Sequence, residues 1–329
     1  MIKNNLNFFN NIQKKNLDSK SIKKFTKLFP KIFSKVFSDI NSSKKTLNTL
    51  NKKFNFNFEI KDLEKFKSFK TIAIIGMGGS ILGSEAISHF LKEKINKKIY
   101  FFNDLNIEKI QNFKKKKNLN KVLFFVISKS GNTVETLSNF FTLKIIKKNS
   151  KNIIIISEKK NNLLYSLSKK FNLFYVEHKN YIGGRYSVLS EVGIVPAYLM
   201  GININKLRSG TLKSLKKKTQ LFLKDSTIML SSLLSFKKIN NLIFLNYCPE
   251  LEKFLFWCQQ LIAESLGKNG KGFLPTISNA PKDHHSLLQL YLDGPKNKLF
   301  YIFSHEESSK EKINIKEILK EKNFLNNKT

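Results

Sequence analysis

Residues 121–136 have the sequence KVLFFVISKSGNTVET, in which an apolar run ends in a cluster of hydroxyl, amine and glycine residues. The run Lys121–Ile127 has the length of one strand, and its β-branched and aromatic side chains suit a strand that is buried on both faces. An amphipathic segment of helical length follows the polar cluster. This stretch therefore predicts a buried parallel strand, a polar turn and a helix.

Other β-branched runs are separated from this strand by helix-length amphipathic segments, at Thr71–Ile75, Lys98–Phe102, Asn152–Ile156 and Leu173–Val176. A second, less regular series of predicted strands lies at Leu242–Asn246, Leu274–Ile277 and Leu299–Phe303, with helices near 250–267 and 285–292. Such alternation indicates βαβ units, which form parallel sheets with helices on both faces. The predicted fold class is therefore α/β, with two doubly wound parallel-sheet domains.

The strand pattern divides the chain into four predicted parts. Residues 1–64 are rich in Lys and Asn, with apolar residues at helical spacing, and are expected to form an N-terminal helical lead-in. The first sheet domain is placed at 65–204 and the second at 205–305. A polar C-terminal tail is placed at 306–329, with one short helix near Ile313–Leu319.

The basic composition invites a nucleic-acid interpretation, because 59 Lys and Arg residues stand against 24 Asp and Glu, a formal net charge of +35. However, lysine is spread over the whole chain, and Lys, Asn, Ile and Phe share A/T-rich codons. No zinc finger or paired-aromatic strand accompanies the basic runs Lys114–Lys117 and Lys216–Lys218. We expect no nucleic-acid partner, although a positive field would help capture an anionic substrate.

Targeting and redox signals are also lacking in the sequence. No apolar run reaches the roughly 18–20 residues that cross a bilayer, and Met1–Asn11 lacks a signal-peptide core. A cytoplasmic protein without a membrane partner is expected. The two cysteines, Cys248 and Cys258, are too few for a disulfide framework and lack metal-ligand spacing. They are expected to be small buried hydrophobes, and no metal or cofactor is predicted.

The polar turn after Ile127 has the composition of a phosphate site. Its hydroxyl, amine and glycine residues are Ser128, Lys129, Ser130, Gly131, Thr133 and Thr136. A phosphate monoester needs several donors, and the N-terminus of a helix adds free N–H groups and a positive dipole. The alternative is helix capping, for which one hydroxyl is enough. The surplus of hydroxyls therefore favours phosphate binding.

A glycine-rich turn, Gly76-Met77-Gly78-Gly79-Ser80, follows the strand Thr71–Ile75. Glycines let the backbone approach a ligand closely, and Ser80 can cap the following helix while it faces an anion. The spacing is GxGGS rather than GxGxxG, which disfavours a dinucleotide site. By itself the turn is equally compatible with a tight strand-to-helix connection.

Four segments, in this order, resemble the phosphoglucose isomerase family of the sugar isomerase (SIS) superfamily. They are SKSGNTVET at 128–136, GGRYS at 183–187, QLIAESLGK at 260–268 and KDHHSLLQ at 282–289. The resemblance covers about residues 70–300. It implies two SIS-type domains, a homodimer, and an aldose–ketose isomerase that converts glucose 6-phosphate and fructose 6-phosphate without metal or cofactor.

The resemblance implies roles for the matching residues. Glu264 would be the base that moves a proton through an enediol, a task that suits a carboxylate in mostly neutral surroundings. Arg185 would stabilise the enediolate oxygen, and His285 would open the sugar ring in the partner subunit's site. Gln260, one turn before Glu264, would touch the substrate or orient the carboxylate. The other substrate-binding residues would be Gly79, Ser80, Ser128, Lys129, Ser130, Thr133 and Thr136.

Some interpretations stay open at this point. Without the resemblance, Glu264 would be a surface glutamate and Arg185 an ion-pair residue. The family continues into a C-terminal helix with an active-site lysine, and nothing after Phe303 matches it; either that part is lacking, or Lys268, Lys271 or a tail lysine replaces it. The alternative functions are a SIS isomerase for another sugar phosphate and a non-catalytic sugar-phosphate-binding SIS protein.

Overall fold

The computed structural model of the protein describes residues 7–12, 17–212, 215, 217–236 and 239–305. The predicted tail at 306–329, with its short helix, lies outside the described residues. The predicted α/β class with parallel sheets is confirmed, and two separate sheets are present.

The first sheet has five parallel strands in the order β2-β1-β3-β4-β5. Their bounds are β1 Thr71–Ile75, β2 Lys98–Phe102, β3 Val122–Ile127, β4 Ile153–Ser157 and β5 Phe174–Glu177. All five predicted strands are present, with ends shifted by at most one residue. Because β2 and β3 lie on opposite sides of β1, the connections after β1 and β3 diverge there, and this is where open α/β sheets bind ligands.

Helices cover both faces of this sheet because its strands are apolar on both sides. The helices are α2 Ile60–Leu63, α3 Leu82–Phe90, α4 Ile107–Lys116, α5 Val134–Leu143, α6 Leu163–Lys170, α7 Glu191–Leu199 and α8 Ile204–Arg208. On β3, the alternate residues Leu123 and Phe125 pack in one core with α3 and α7, whereas Phe124 packs in the other core with α4 and α5. Every residue of β3 is buried, as expected for the central strand.

The second sheet has three parallel strands in the order β7-β6-β8, with bounds β6 Asn241–Asn246, β7 Leu274–Asn279 and β8 Lys298–Phe303. Its helices are α9 Lys217–Phe236, α10 Glu252–Leu266 and α11 His284–Leu292. Helix α10 packs against β7 and also along α3, which belongs to the first sheet, so it joins the two layers. Both sheets lie within the ranges predicted for the two domains; the domain limits themselves stay predictions.

The N-terminal lead-in is helical only in part. Helix α1 spans Ser19–Asn41, starts on an Asp18 cap and packs against α9. Of its apolar positions, Phe29 and Ile40 are buried, whereas Leu28 and Ile32 are exposed. Between α1 and α2 the chain forms a short 3₁₀ helix at Thr46–Leu50.

No helix in the described ranges combines the length and the apolar character that a membrane span requires. Cys258 is a free thiol. Cys248 is buried, and Cys258 is partly buried in the core of the second sheet, where burial raises the pKa of its thiol to about 12.

The buried central strand generates a stability prediction. Phe125→Ala should lower the free energy of unfolding by about 3–5 kcal/mol, because it removes a fully buried ring and leaves a cavity. Urea denaturation followed by circular dichroism measures the change. Phe90→Ala is the matched control, since Phe90 at the end of α3 is 54% exposed, and it should cost less than about 1 kcal/mol. Equal losses in the two variants would contradict the packing described for β3.

Candidate active site

A cavity of about 320 Å³ lies at the carboxyl ends of β1, β3 and β4, at the point where the strand order of the first sheet reverses. Its walls come from four turns and one helix. The lining residues are Met77, Gly79, Ser80, Lys129, Ser130, Thr133, Glu158, Lys160, Gly184, Arg185, Gln260 and Glu264. The sequence predicted ligand-binding turns after β1 and β3, and residues of both turns line this cavity.

The turn after β1 is pressed against the turn that carries Arg185. A Cβ atom at Gly79 would lie 2.2 Å from the carbonyl carbon of Gly184 and 2.6 Å from the nitrogen of Arg185, so only glycine allows this contact. Ser80 lies in the cavity wall and does not cap α3, whose N-cap residue, Ile81, makes no side-chain cap bond. The capping role expected for Ser80 is therefore wrong.

The hydroxyls after β3 bond to one another rather than to the helix. Thr133 occupies the N-cap position of α5 but makes no side-chain cap bond. Instead, Thr133 Oγ1 lies 2.8 Å from Ser128 Oγ, and the Gly131 nitrogen donates to Ser128 Oγ at 3.1 Å. Ser130 and Thr133 reach the cavity wall. The capping alternative therefore does not account for these hydroxyls.

Two of the predicted phosphate ligands do not line the cavity. Ser128 is 1% exposed and serves as the internal partner of Thr133 and Gly131. Thr136 is fully buried, and its Oγ1 atom has no hydrogen-bond partner among the described residues. Both follow β3 closely in sequence, but the first turn of α5 rotates Thr136 toward the core, which sequence spacing alone does not reveal.

The side chain of Lys129 lines the cavity, but its amine is directed at the backbone. Lys129 Nζ donates to the carbonyl oxygens of Asn180 and Ile182, each at 2.8 Å. It lies 3.5 Å from Glu158 Oε1. These contacts fasten the turn after β3 to the segment that leads into Gly183 and Gly184. The amine predicted to contact a phosphate therefore holds two cavity walls together.

The carboxylate of Glu264 is held at both oxygens. Gln260 Nε2, one turn earlier on α10, donates to Glu264 Oε1 at 2.7 Å. Arg185 Nη1 donates to Glu264 Oε2 at 3.0 Å and forms an ion pair with it. The expected orientation of the carboxylate by Gln260 is present. The expected neutral surroundings are wrong, because the Glu264 side chain is 48% exposed and faces a guanidinium.

Arg185 is positioned by groups that the sequence did not point out. Arg185 Nε donates to Ser265 Oγ at 2.9 Å, and Tyr186 OH lies 2.8 Å from the same oxygen. Trp257 Nε1 donates to the carbonyl oxygen of Arg185 at 2.9 Å. Both Ser265 and Trp257 lie on α10, so this helix positions the arginine as well as the carboxylate.

His285 and the candidate replacement lysines lie away from the cavity wall. His285 is exposed on α11, and its neighbour His284 bonds through Nε2 to Tyr247 OH at 3.0 Å. Lys268 and Lys271 pair across the turn that follows α10 and are exposed. Neither His285 nor these two lysines are among the lining residues.

Two residues that no sequence motif indicated, Glu158 and Lys160, follow β4 and line the cavity. Lys160 Nζ lies 2.6 Å from Glu158 Oε2. Burial acts to raise the pKa of Glu158, but the hydrogen bond from Lys160 and the charges of Lys129 and Lys160 outweigh it and lower the pKa, which keeps the carboxylate charged at neutral pH. Their position in the sequence could have indicated them, because both residues follow β4, a predicted strand that pairs with β3 in the sheet.

Comparison with solved structures places the fold in a known class. A hypothetical protein from Thermus thermophilus superposes with a TM-score of 0.75 at 22% identity, over 94% of this chain and 78% of that one. A glucose-6-phosphate isomerase from Chlamydia trachomatis superposes with a TM-score of 0.63 at 16% identity, over 87% of this chain and 66% of that one. The two-sheet architecture is therefore the SIS-type α/β fold that the sequence predicted.

Sequence comparison then specifies the family. The family model described as phosphoglucose isomerase matches residues 33–282, and the chain belongs to this family. A glucose-6-phosphate isomerase of Methanocaldococcus jannaschii is 34% identical over 275 residues, covering 79% of this chain and 67% of that protein. A probable glucose-6-phosphate isomerase of Methanococcus maripaludis is 36% identical over 267 residues, covering 77% and 60%. The chain thus spans about two thirds of the length of these relatives.

The contact between the two glycine turns generates a prediction. Gly79→Ala should lower the free energy of unfolding by about 1–3 kcal/mol, because the added methyl group must push the turn at Gly184 away. Gly210→Ala is the control: an added Cβ there meets no described atom within 4 Å, and it should be neutral or stabilise by about 0.4–1 kcal/mol. Urea denaturation of both variants measures the difference, and a neutral Gly79→Ala would refute the close contact.

Proposed function

We propose that this chain is an aldose–ketose isomerase that interconverts glucose 6-phosphate and fructose 6-phosphate by proton transfer through an enediol. One observation supports this most directly: the Glu264 carboxylate lines the same cavity as the hydroxyls of Ser130 and Thr133. A group able to move a proton therefore faces the space beside a group of donors suited to a phosphate. Membership in the phosphoglucose isomerase family supports the same reaction.

The phosphate end of the substrate would be held by the turns after β1 and β3. The hydroxyl-bearing residues Ser80, Ser130 and Thr133 line the cavity. The bond between Ser128 and Thr133 fixes one of these hydroxyls before the ligand arrives, which reduces the ordering cost of binding. Free N–H groups at the start of α5 add donors and a positive dipole.

The chemistry would take place at the other end of the cavity, at Glu264. The carboxylate takes the proton from C2 of the open-chain aldose and returns it to C1, so one group serves as base and then as acid. The C2 hydroxyl proton moves to the carbonyl oxygen in the same interconversion, and the atoms balance without a co-reactant. Gln260, through its hydrogen bond to Glu264 Oε1, keeps the carboxylate directed into the cavity during both transfers.

Arg185 would stabilise the charge that develops on the enediolate oxygen. Its guanidinium is held at Nε by Ser265 and at the backbone by Trp257, so it needs little rearrangement to meet that charge. Because Nη1 lies 3.0 Å from Glu264 Oε2, a reacting carbon–oxygen unit bound beside this pair would have a base and a cation within reach at the same time.

Ring opening and subunit arrangement belong to the same proposal. His285 would donate and accept the ring-opening protons in the site of a second copy, which agrees with its exposed position on α11 outside the cavity of its own chain. A homodimer is therefore proposed. A cytoplasmic location and action without metal or cofactor are proposed from the family.

The base is tested by Glu264→Gln. This change keeps the side-chain shape but replaces one acceptor oxygen by an amide NH₂, so the side chain can accept a hydrogen bond from only one of Arg185 and Gln260. It removes the proton acceptor, so the turnover number should fall about 10²–10⁴-fold while the KM for fructose 6-phosphate changes little. The measurement is conversion of fructose 6-phosphate together with deuterium uptake from D₂O. Glu93→Gln, an exposed glutamate outside the cavity, is the control and should keep full activity.

The outcomes separate the rival functions. Equal turnover in Glu264→Gln and wild type would contradict the assignment of the base. Binding of fructose 6-phosphate without deuterium uptake in the wild type would indicate a non-catalytic sugar-phosphate-binding protein. Conversion of mannose or heptose phosphates, with little conversion of glucose 6-phosphate, would indicate another SIS isomerase.

The shared site generates a separate prediction. Glu264→Gln and His285→Ala are each expected to be nearly inactive. When they are mixed after subunit exchange, each hybrid dimer would contain one intact site, and random pairing should restore about a quarter of the wild-type activity. Each variant exchanged with itself is the control. A mixture that stays inactive, although hybrid dimers are detected, would show that His285 does not act in the partner's site.

A further inference from the structure

We propose that Lys160 is the cation that binds the substrate phosphate in this chain, and that Glu158 holds it in place until the substrate enters. This inference rests on the proposed function only in requiring a phosphorylated ligand in the cavity. It assigns to the turn after β4 a role that the sequence had placed on Lys129.

The lysine of the phosphate turn is already engaged. An ammonium group has three donors. Two of those of Lys129 are directed at the carbonyl oxygens of Asn180 and Ile182, and the Glu158 carboxylate lies near the amine. Turning Lys129 toward a phosphate would release the segment that leads to the Arg185 turn. Lys129 therefore has a structural role, linking two segments of the cavity wall.

Lys160, the second lysine in the cavity wall, has hydrogen-bond donors left for a ligand. Three of the described lining residues are basic, and Arg185 is engaged by Glu264 and Ser265. Lys160 Nζ contacts Glu158 Oε2 at 2.6 Å, which needs one of its three protons, and its side chain is 55% exposed. Lys160 can leave this contact without leaving the Glu158 carboxylate unpaired, because Lys129 Nζ remains 3.5 Å from Glu158 Oε1.

The turn that carries Lys160 is docked on the phosphate turn. The nitrogen of Glu158 donates to the carbonyl oxygen of Lys129 at 3.1 Å, and the nitrogen of Leu163 donates to Asn132 Oδ1 at 2.9 Å. A Cβ atom at Gly131 would lie 1.8 Å from Asn162 Oδ1, so these two turns are in direct contact. This packing places Lys160 at the phosphate end of the cavity and fixes its backbone there.

The charge balance requires such a cation. A dianionic phosphate would meet the charged Glu158 carboxylate in the cavity wall, which disfavours binding. Lys129 and Lys160 together outweigh this carboxylate and leave the group with a net positive charge. Without Lys160, the remaining pair of Lys129 and Glu158 would be neutral, and the phosphate would lose its attraction to this wall.

The test is direct calorimetric binding of fructose 6-phosphate and of inorganic phosphate to the full chain. Lys160→Met should weaken both ligands by a similar factor, roughly tenfold, because it removes a charge-assisted contact to the part that they share. Lys160→Arg should restore most of the affinity. Lys159→Met, the same change at the neighbouring exposed position outside the cavity, is the matched control and should leave both affinities unchanged.

A fourth variant gives an effect of opposite sign. Glu158→Gln frees Lys160 and removes the opposing charge, so both ligands should bind more tightly than to the wild type. Unchanged binding in Lys160→Met, loss for the sugar phosphate alone, or absence of any phosphate binding by the wild type would each overturn the proposal. Circular dichroism checks that every variant is folded. Because binding is measured without turnover, a wild type that binds phosphate but does not isomerise would end the proposed function and still test Lys160.

Discussion

The contact between Gly79 and Gly184 is the constraint on which the candidate site depends. It brings the turn after β1 against the turn that carries Arg185, with no room for a side chain at Gly79. Once these two turns touch, Arg185 is directed at α10, where Glu264 and Ser265 receive its guanidinium. Two segments that are about a hundred residues apart in sequence thus form one wall of the cavity.

Helix α10 supplies the side chains that position the base and the cation beside this contact. It follows β6 of the second sheet but packs along α3 of the first, so its position depends on both sheets at once. From this one helix come the carboxylate, the glutamine that orients it, the serine that holds the arginine and the tryptophan that fixes the arginine backbone. A shift of the second sheet relative to the first would therefore disturb the base and the cation together.

Polar groups around the cavity are organised before any ligand enters. The hydroxyls after β3 form a bonded group instead of capping α5. Lys129 spans from that turn to the carbonyl oxygens at 180 and 182. The overall charge of +35 explains none of this, because the local contacts are set by individual pairs such as Lys160 with Glu158. Preorganisation of this kind lowers the cost of ordering side chains around a small anion.

The strands, the parallel α/β class and the turns that would border a ligand could be predicted from local patterns in the sequence. These features are local: β-branched runs specify buried strands, and glycine or hydroxyl clusters directly after a strand mark its carboxyl end. With the family resemblance, it also indicated Glu264, Arg185 and Gln260, which the structure brings together.

Which polar side chains face the cavity could not be predicted in this way, because it depends on contacts between distant segments. Ser128 and Thr136 satisfy the same sequence pattern as Ser130 and Thr133, yet both are buried beneath the turn. The amine of Lys129 donates to a backbone carbonyl about fifty residues away. Lys160, which belongs to no recognised motif, lines the cavity near the phosphate turn. The physical reason is that a side chain's direction depends on the partners supplied by distant segments, and no short stretch of sequence contains those partners.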